Sequence, residues 1–278
     1  MNNTGIKWTK KTWNVWSGCD KVSPACKFCY AERIAESKSG TPAFPNGFGL
    51  TMRKHKLNEP FKLKEASMIF VNSMSDLFWE KVSDQDIEEV IEVIRQTPQH
   101  QYQALTKRPE RMRDFFRTRE VPDNLWLGVS VESKKYVYRI DILREIDAPI
   151  KFVSAEPLLE PLRTDFAGID WVITGGESGT HLVNNDIAEK RGLTMRTSKG
   201  WVVMEERKDW IREIRDNCIA NDIAFFHKQW GGYKDTATGN DLDGRKWEEF
   251  PRYYNEETGR WDDRTKAARG SIPQDQAA

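Results

Sequence analysis

The sequence predicts an α/β fold, built as a partial or complete parallel (β/α) barrel, on three observations. Short apolar runs of strand type alternate with amphipathic stretches of helical period along most of the chain. The connections are mostly too long for hairpins, which argues for parallel strands joined by right-handed crossovers. Nearly every run also ends in polar residues, and in parallel α/β folds the C-terminal strand ends carry the active site. The chain has 278 residues, enough for one barrel-sized domain. An open doubly wound sheet is the alternative with the same rhythm.

Taken in order, residues 13–17 (WNVWS) form the first expected strand, ending at Gly18 in a cysteine-rich loop. YAERIAES, directly after Cys29, has helical composition. Residues 39–49, rich in Gly, Pro and Phe, are a loop. Residues 68–73 are a buried-type strand. Residues 83–96 are an amphipathic helix, with Ile87, Val90, Ile91 and Ile94 on one face and Ser83 with Asp86 as a capping signal. Strands follow at 101–106, 125–131, 150–154, 170–174 and 223–226. Helices are expected from Pro109 (with Met112, Phe115 and Phe116), over 133–146, and over 208–220. Polar residues 183–203 interrupt the rhythm and read as an insertion on the loop face. The expected organisation is a barrel domain over 1–230 and an irregular C-terminal extension over 231–278, its last residues a disordered tail.

Composition narrows the function. Lys plus Arg and Asp plus Glu are both 43, so the net charge is zero and gives no general pull toward nucleic acid or acidic membranes. No apolar run approaches the length of a membrane span, and the N-terminus lacks the hydrophobic core of a signal peptide. A cytoplasmic location is expected. There, clustered cysteines read as metal ligands before disulfides.

Three of the four cysteines, Cys19, Cys26 and Cys29, fall in one loop with C-x6-C-x2-C spacing. A closed structural metal site takes four protein ligands, whereas three leave a coordination position open. Zinc would need His55, Cys218 or water as its fourth ligand. A [4Fe–4S] cluster on three cysteines would leave one iron open. Buried thiols without metal are the third reading. Cys218 shares a helical face with Ile211 and Ile214 and reads as core. His55, His100 and His181 read as surface residues.

The strand ends supply the remaining candidates: Ser73, Ser75 and Asp76; Lys107 and Arg108; Ser130 and Glu132; Ser154 and Glu156; Glu177; and His227, Lys228 and Gln229. In GVSVE and FVSAE the serine and glutamate share one strand face and the apolar residues share the other. With the valines against outer helices, Ser130, Glu132, Ser154 and Glu156 would point into the barrel mouth. The glycines of Thr174-Gly-Gly-Glu-Ser-Gly179 are expected to let backbone approach a ligand closely. The basic run over 107–119 reads as a solvated helix face.

The segments WNVWSGCDKVSPACKFCYAER, VNSMSDLFW, LTKRPERM, LWLGVSVE, KFVSAEPLL, VITGGESG, FFHKQWGG and LDGRKWEEFP resemble a family of phage and bacterial proteins. That family is labelled as a phage protein or domain of unknown function and is related to radical S-adenosylmethionine (SAM) enzymes. Cys26-Lys27-Phe28-Cys29 is similar to the second half of the radical SAM signature; the first gap is six residues where that signature has three. The resemblance implies a barrel of the radical SAM type, a [4Fe–4S] cluster on Cys19, Cys26 and Cys29, and SAM on the open iron, cleaved to a 5′-deoxyadenosyl radical. It implies Phe28 beside the cofactors, Ser73, Ser75 and Asp76 at the SAM amino group, Ser130 and Glu132 at its ribose or amino-acid part, and Lys107 or Arg108 at its carboxylate. Glu156, Glu177, His227, Lys228 and Gln229 are left for a small-molecule or nucleotide substrate. Nucleic acid is a candidate partner, and an electron donor such as flavodoxin or ferredoxin is implied. Two other classes fit the residues less fully. One is a non-catalytic nucleic-acid-binding phage protein with a structural zinc or iron–sulfur site. The other is a metal-dependent hydrolase using Glu132, Glu156 and Glu177.

Overall fold

A computed structural model describes residues 1–263. Seven parallel strands form its centre: β1 (Lys11–Trp13), β2 (Met68–Val71), β3 (Gln101–Thr106), β4 (Leu125–Ser130), β5 (Ile150–Ala155), β6 (Trp171–Gly175) and β7 (Ala224–Gln229). They lie side by side in chain order, and residues Asn2–Asn3 add an antiparallel edge to β1. A doubly wound sheet reverses its order at a switch point. This one does not reverse and its two edges do not pair, so the fold is a partial parallel (β/α) barrel.

The helices are α1 (Tyr30–Ser37), α2 (Asp84–Arg95), α3 (Pro109–Phe116), α4 (Tyr138–Arg144), α5 (Asn185–Arg191) and α6 (Glu205–Ala220). The period-3.6 pattern of α2 buries Ile87, Val90, Ile91 and Ile94, and the Ser83 hydroxyl accepts the Asp86 amide at 3.1 Å. Loss of such a cap costs about 1 kcal/mol.

Strand alternation separates two apolar layers. Ile69, Val71, Val129, Val153 and Phe225 join the layer shared with the helices. Phe70, Trp126, Phe152, Trp171 and Phe226 fill the barrel interior, with Trp8 packed among them. Gly128 makes room for this plug, because a Cβ there would sit 2.4 Å from the Phe152 ring. The next inward positions along β4 and β5 are Ser130 and Ser154, so the plug gives way to a polar mouth at the C-terminal strand ends.

Three expectations are corrected. Residues 13–17 are not one strand: β1 ends at Trp13, and Trp16–Ser17 pairs antiparallel with Thr51–Met52. Val15 instead takes the Asn72 side chain on its backbone N–H, which turns the chain between the two pairings. Residues 133–146 open with a 3-10 turn, Lys134–Tyr136, and only Tyr138–Arg144 is α-helical. His100 is not a surface residue; it is fully buried, with Nε2 against the Pro60 carbonyl at 3.2 Å. Residues 183–203 contain α5 and a hairpin of Thr194–Thr197 with Gly200–Val203. Residues 231–263 carry two short hairpins and return Leu242 and Trp247 to the outer core. The expected tail lies outside the described residues. Among them, no helix is long and apolar enough to cross a membrane.

Candidate active site

The cysteine loop begins where β1 has passed the barrel rim. Gly18 has φ +102°, and a Cβ there would meet the Gly49 carbonyl carbon at 2.6 Å, so only glycine fits this turn. The Gly18 amide donates to the Met74 carbonyl at 3.1 Å, tying the loop to the end of β2. Cys26 closes a 3-10 turn, Pro24–Cys26, and Cys29 is the N-cap of α1. Cys19, Cys26 and Cys29 border one cavity at the barrel mouth. Burial, with the nearby Asp76 carboxylate, pushes the Cys19 thiol up to about 11; Arg108 opposes the shift.

Below the cysteines, Asp76 organises the ends of β2 and β3. Its carboxylate accepts four hydrogen bonds, from the Phe78 amide, the Thr106 hydroxyl, the Lys107 amide and Arg108 Nη1. Arg108 is buried and also donates to Glu80 at 2.7 Å and to the Cys19 sulfur at 3.5 Å. Lys107 reaches into the cavity with Nζ 3.3 Å from the Ser130 hydroxyl, and no carboxylate of the described residues pairs with it. Ser75 donates its hydroxyl to the Gly18 carbonyl, and Ser73 exchanges hydrogen bonds with Asn14.

Across the mouth, Glu156 accepts from Trp8 Nε1 and the Ser154 hydroxyl, each at 3.2 Å, and pairs with Lys228 at 3.0 Å. Of the residues singled out in the sequence, the cavity gathers the three cysteines, Ser73, Ser75, Asp76, Lys107, Arg108, Ser130, Ser154, Glu156 and Lys228.

The others lie elsewhere, each for a geometric reason. Glu132 falls beyond the end of β4, where it turns from the mouth and pairs, fully buried, with Arg139 at 3.2 Å. His227 and Gln229 occupy the face of β7 opposite Lys228. His227 contacts Thr174 at 3.0 Å and Gln229 donates to the Gly176 carbonyl at 3.3 Å. Burial depresses the His227 pKa to about 3. Glu177 is held by Arg191 through two bonds, of 2.6 and 2.7 Å. His181, expected at the surface, is mostly buried and stacks on Phe28 with ring centroids 3.8 Å apart. The glycines of the 174–179 loop meet protein: a Cβ on Gly176 would lie 1.9 Å from the Trp230 carbonyl oxygen, and one on Gly175 2.8 Å from Glu156. Glu132, Glu156 and Glu177 each have a different cationic partner, so the hydrolase triad does not assemble.

Residues 3–251 match the family model described as a protein of unknown function, DUF5131. The chain belongs to the DUF5131 family. A search of curated proteins finds no match to this DUF5131 chain. Among solved structures it is similar to a point mutant of spore photoproduct lyase, with TM-score 0.50 and 11% identity over 79% of this chain and 76% of that one. Spore photoproduct lyase with dinucleoside spore photoproduct gives 0.47 and 10% over 77% and 74%. A double mutant with bound AdoMet and dinucleoside spore photoproduct gives 0.46 and 10% over 78% and 75%. At these identities the likeness is one of fold.

The donor chemistry of the DUF5131 site is that of three cysteines at one cavity. Among the described residues, no three His, Cys, Asp or Glu side chains close on a point that would hold a single ion. The three cysteines line one shared cavity, and three thiolates are the donor set that leaves one iron of a [4Fe–4S] cluster open. Cys218, once a candidate fourth ligand, is fully buried under α6.

The sequence reading missed Trp8 and Tyr30 as cavity residues. Tyr30 carried a signal, since it follows Cys29 directly; its hydroxyl donates to the Ser73 carbonyl at 2.6 Å. Trp8 precedes the first strand and carried none.

Proposed function

We propose that this protein is a radical SAM enzyme acting on a nucleotide or nucleic-acid base. The observation that carries the proposal is the convergence of Cys19, Cys26 and Cys29 on one cavity at the mouth of a partial parallel barrel. When bound, a [4Fe–4S] cluster with SAM supplies a 5′-deoxyadenosyl radical for hydrogen abstraction; the protein supplies binding, orientation and exclusion of water.

The residues divide that work. The three cysteines hold the cluster. Lys107 takes the SAM carboxylate, because its ammonium faces the cavity without a carboxylate partner, whereas Arg108 is committed to Asp76 and Glu80. Ser130 offers its hydroxyl to the polar parts of SAM, while Ser73, engaged with Asn14, lines the same wall. Asp76 acts through Lys107 and Arg108, since its own oxygens are taken. The aromatic plug with Phe70 and Leu105 closes the cavity floor to water. Glu156 and Lys228 form a polar corner that can orient a base edge by donating and accepting hydrogen bonds. This polar corner is what supports a nucleotide class of substrate.

Anaerobic purification with iron, sulfide and zinc analysis tests the proposal, followed by electron paramagnetic resonance of the reduced protein with and without SAM. About four irons per chain and a spectrum altered by SAM are expected. Alanine at Cys19, Cys26 and Cys29 together abolishes both. One zinc, no iron and no response to SAM would assign the chain to a binding protein with a structural metal.

A further inference from the structure

The residues that follow β6 do more than interrupt the barrel rhythm. Arg191, the last residue of α5, donates from Nη2 to the Pro24 carbonyl at 3.1 Å, within the 3-10 turn that ends at Cys26. The same guanidinium is gripped by Glu177 and lies 5.2 Å from the Phe28 ring centroid. His181 stacks on Phe28 at 3.8 Å with the rings 7° from parallel, and its Nε2 lies 3.5 Å from Glu177. Gly179 permits this: its φ is +150°, and a Cβ there would meet His181 Cε1 at 2.6 Å. Phe28 is the residue between Lys27 and Cys29, so the contacts fall between two cysteines of the site.

We infer that Glu177, His181 and Arg191 form a clamp that holds the cysteine loop in its ligating shape, with His181 and Arg191 as positioning residues acting through Phe28 and Pro24. The part of the inference that concerns the metal rests on the function proposed above; the hold on the loop does not. A half-buried loop of three thiols must pay conformational entropy to present them together, and contacts formed before the metal arrives reduce that cost. Among the described residues, the other hydrogen bonds made by the 24–29 backbone stay within its own turn and the start of α1.

Hydrogen exchange of the full-length metal-free protein reads the clamp directly. Arg191→Ala and His181→Ala should speed exchange of the amides over residues 24–31 by about tenfold, leaving those of β3 unchanged. His181→Phe, which keeps the stacked ring, should restore protection. In iron-loaded protein the same two alanine variants should lose iron to a chelator about tenfold faster than the parent, and His181→Phe should not. Unchanged exchange over 24–31 in both alanine variants would overturn the inference. If Arg191→Ala unfolds the chain, His181→Ala, which leaves the Arg191–Glu177 pair intact, carries the same expectation. If the parent binds no iron but the exchange differences appear, the clamp stands and only the proposed function fails.

Discussion

Arg108 donates from Nη1 to the sulfur of Cys19 across 3.5 Å, and from the same nitrogen to Asp76 at 3.1 Å. A buried guanidinium thus touches a thiol whose proton a metal would displace, held there by Asp76 and Glu80 on the loop after β2. A hydrogen bond from a cation to a cluster thiolate stabilises the more negative, reduced state. Arg108→Gln should therefore shift the reduction potential of the reconstituted protein downward by about 60–130 mV, the one-electron equivalent of a charge-assisted bond. Arg108→Lys keeps the charge and should shift it less. Spectroscopic potential titration of the parent and both variants measures this, and an unchanged potential in Arg108→Gln would remove Arg108 from the tuning of the site.

Lys107 presents its ammonium to the cavity with only the Ser130 hydroxyl at hand. Replacing it with methionine keeps most of the stem and removes the charge. SAM affinity measured by calorimetry should fall about tenfold to a hundredfold, with iron content unchanged. Equal affinity in Lys107→Met would place the SAM carboxylate elsewhere.

Gly176 is a structural glycine. Its amide donates to the Gln229 carbonyl at 2.9 Å, and its missing Cβ leaves the Trp230 carbonyl oxygen its place. Gly176→Ala must push apart the loops that follow β6 and β7, and should cost about 2–4 kcal/mol in denaturant unfolding. Gly40→Ala, at a position with φ +80° and open space around it, should cost about 1 kcal/mol.

His227 makes stability depend on pH. Burial first, and the Lys7 charge second, depress its folded pKa to about 3, against about 6.5 in the unfolded chain. Between those values the unfolded chain binds the proton and the folded chain does not, so stability falls as pH drops below 6.5. The expected loss from this group is about 2 kcal/mol between pH 7 and pH 5. His100, also depressed by burial, acts in the same direction. Denaturation at the two pH values, for the parent and for His227→Gln, measures the contribution; the variant should show a smaller difference.

Much of this was legible in local pattern. The α2 stripe and its Ser83 cap, strand 101–106 and the helix opened by Pro109 depend on neighbours a few residues away. The spacing of Cys19, Cys26 and Cys29 lies within eleven residues of chain and is local too. Strand faces were legible where the strand continued: Ser130 and Ser154 point into the mouth as alternation requires, and Glu156, one residue past β5, keeps to that side. The same rule misplaced Glu132, which lies two residues past the end of β4 and is drawn to Arg139 instead. It could not place His227 either, because which face of β7 looks inward depends on its pairing with β6.

By itself, then, the sequence determined most of the central strands and helices, the parallel sense of their crossovers and the grouping of three cysteines, since each follows from backbone propensity, apolar period and spacing over short distances; the order of the strands in the sheet came from the structure. Only the tertiary structure decided which polar groups meet those sulfurs. Arg108 reaches Cys19 across 89 positions and Arg191 reaches Pro24 across 167. Contacts at that separation form when the barrel brings strand ends to one rim, and the charge of each side chain is then spent on whichever partner the packing puts within reach.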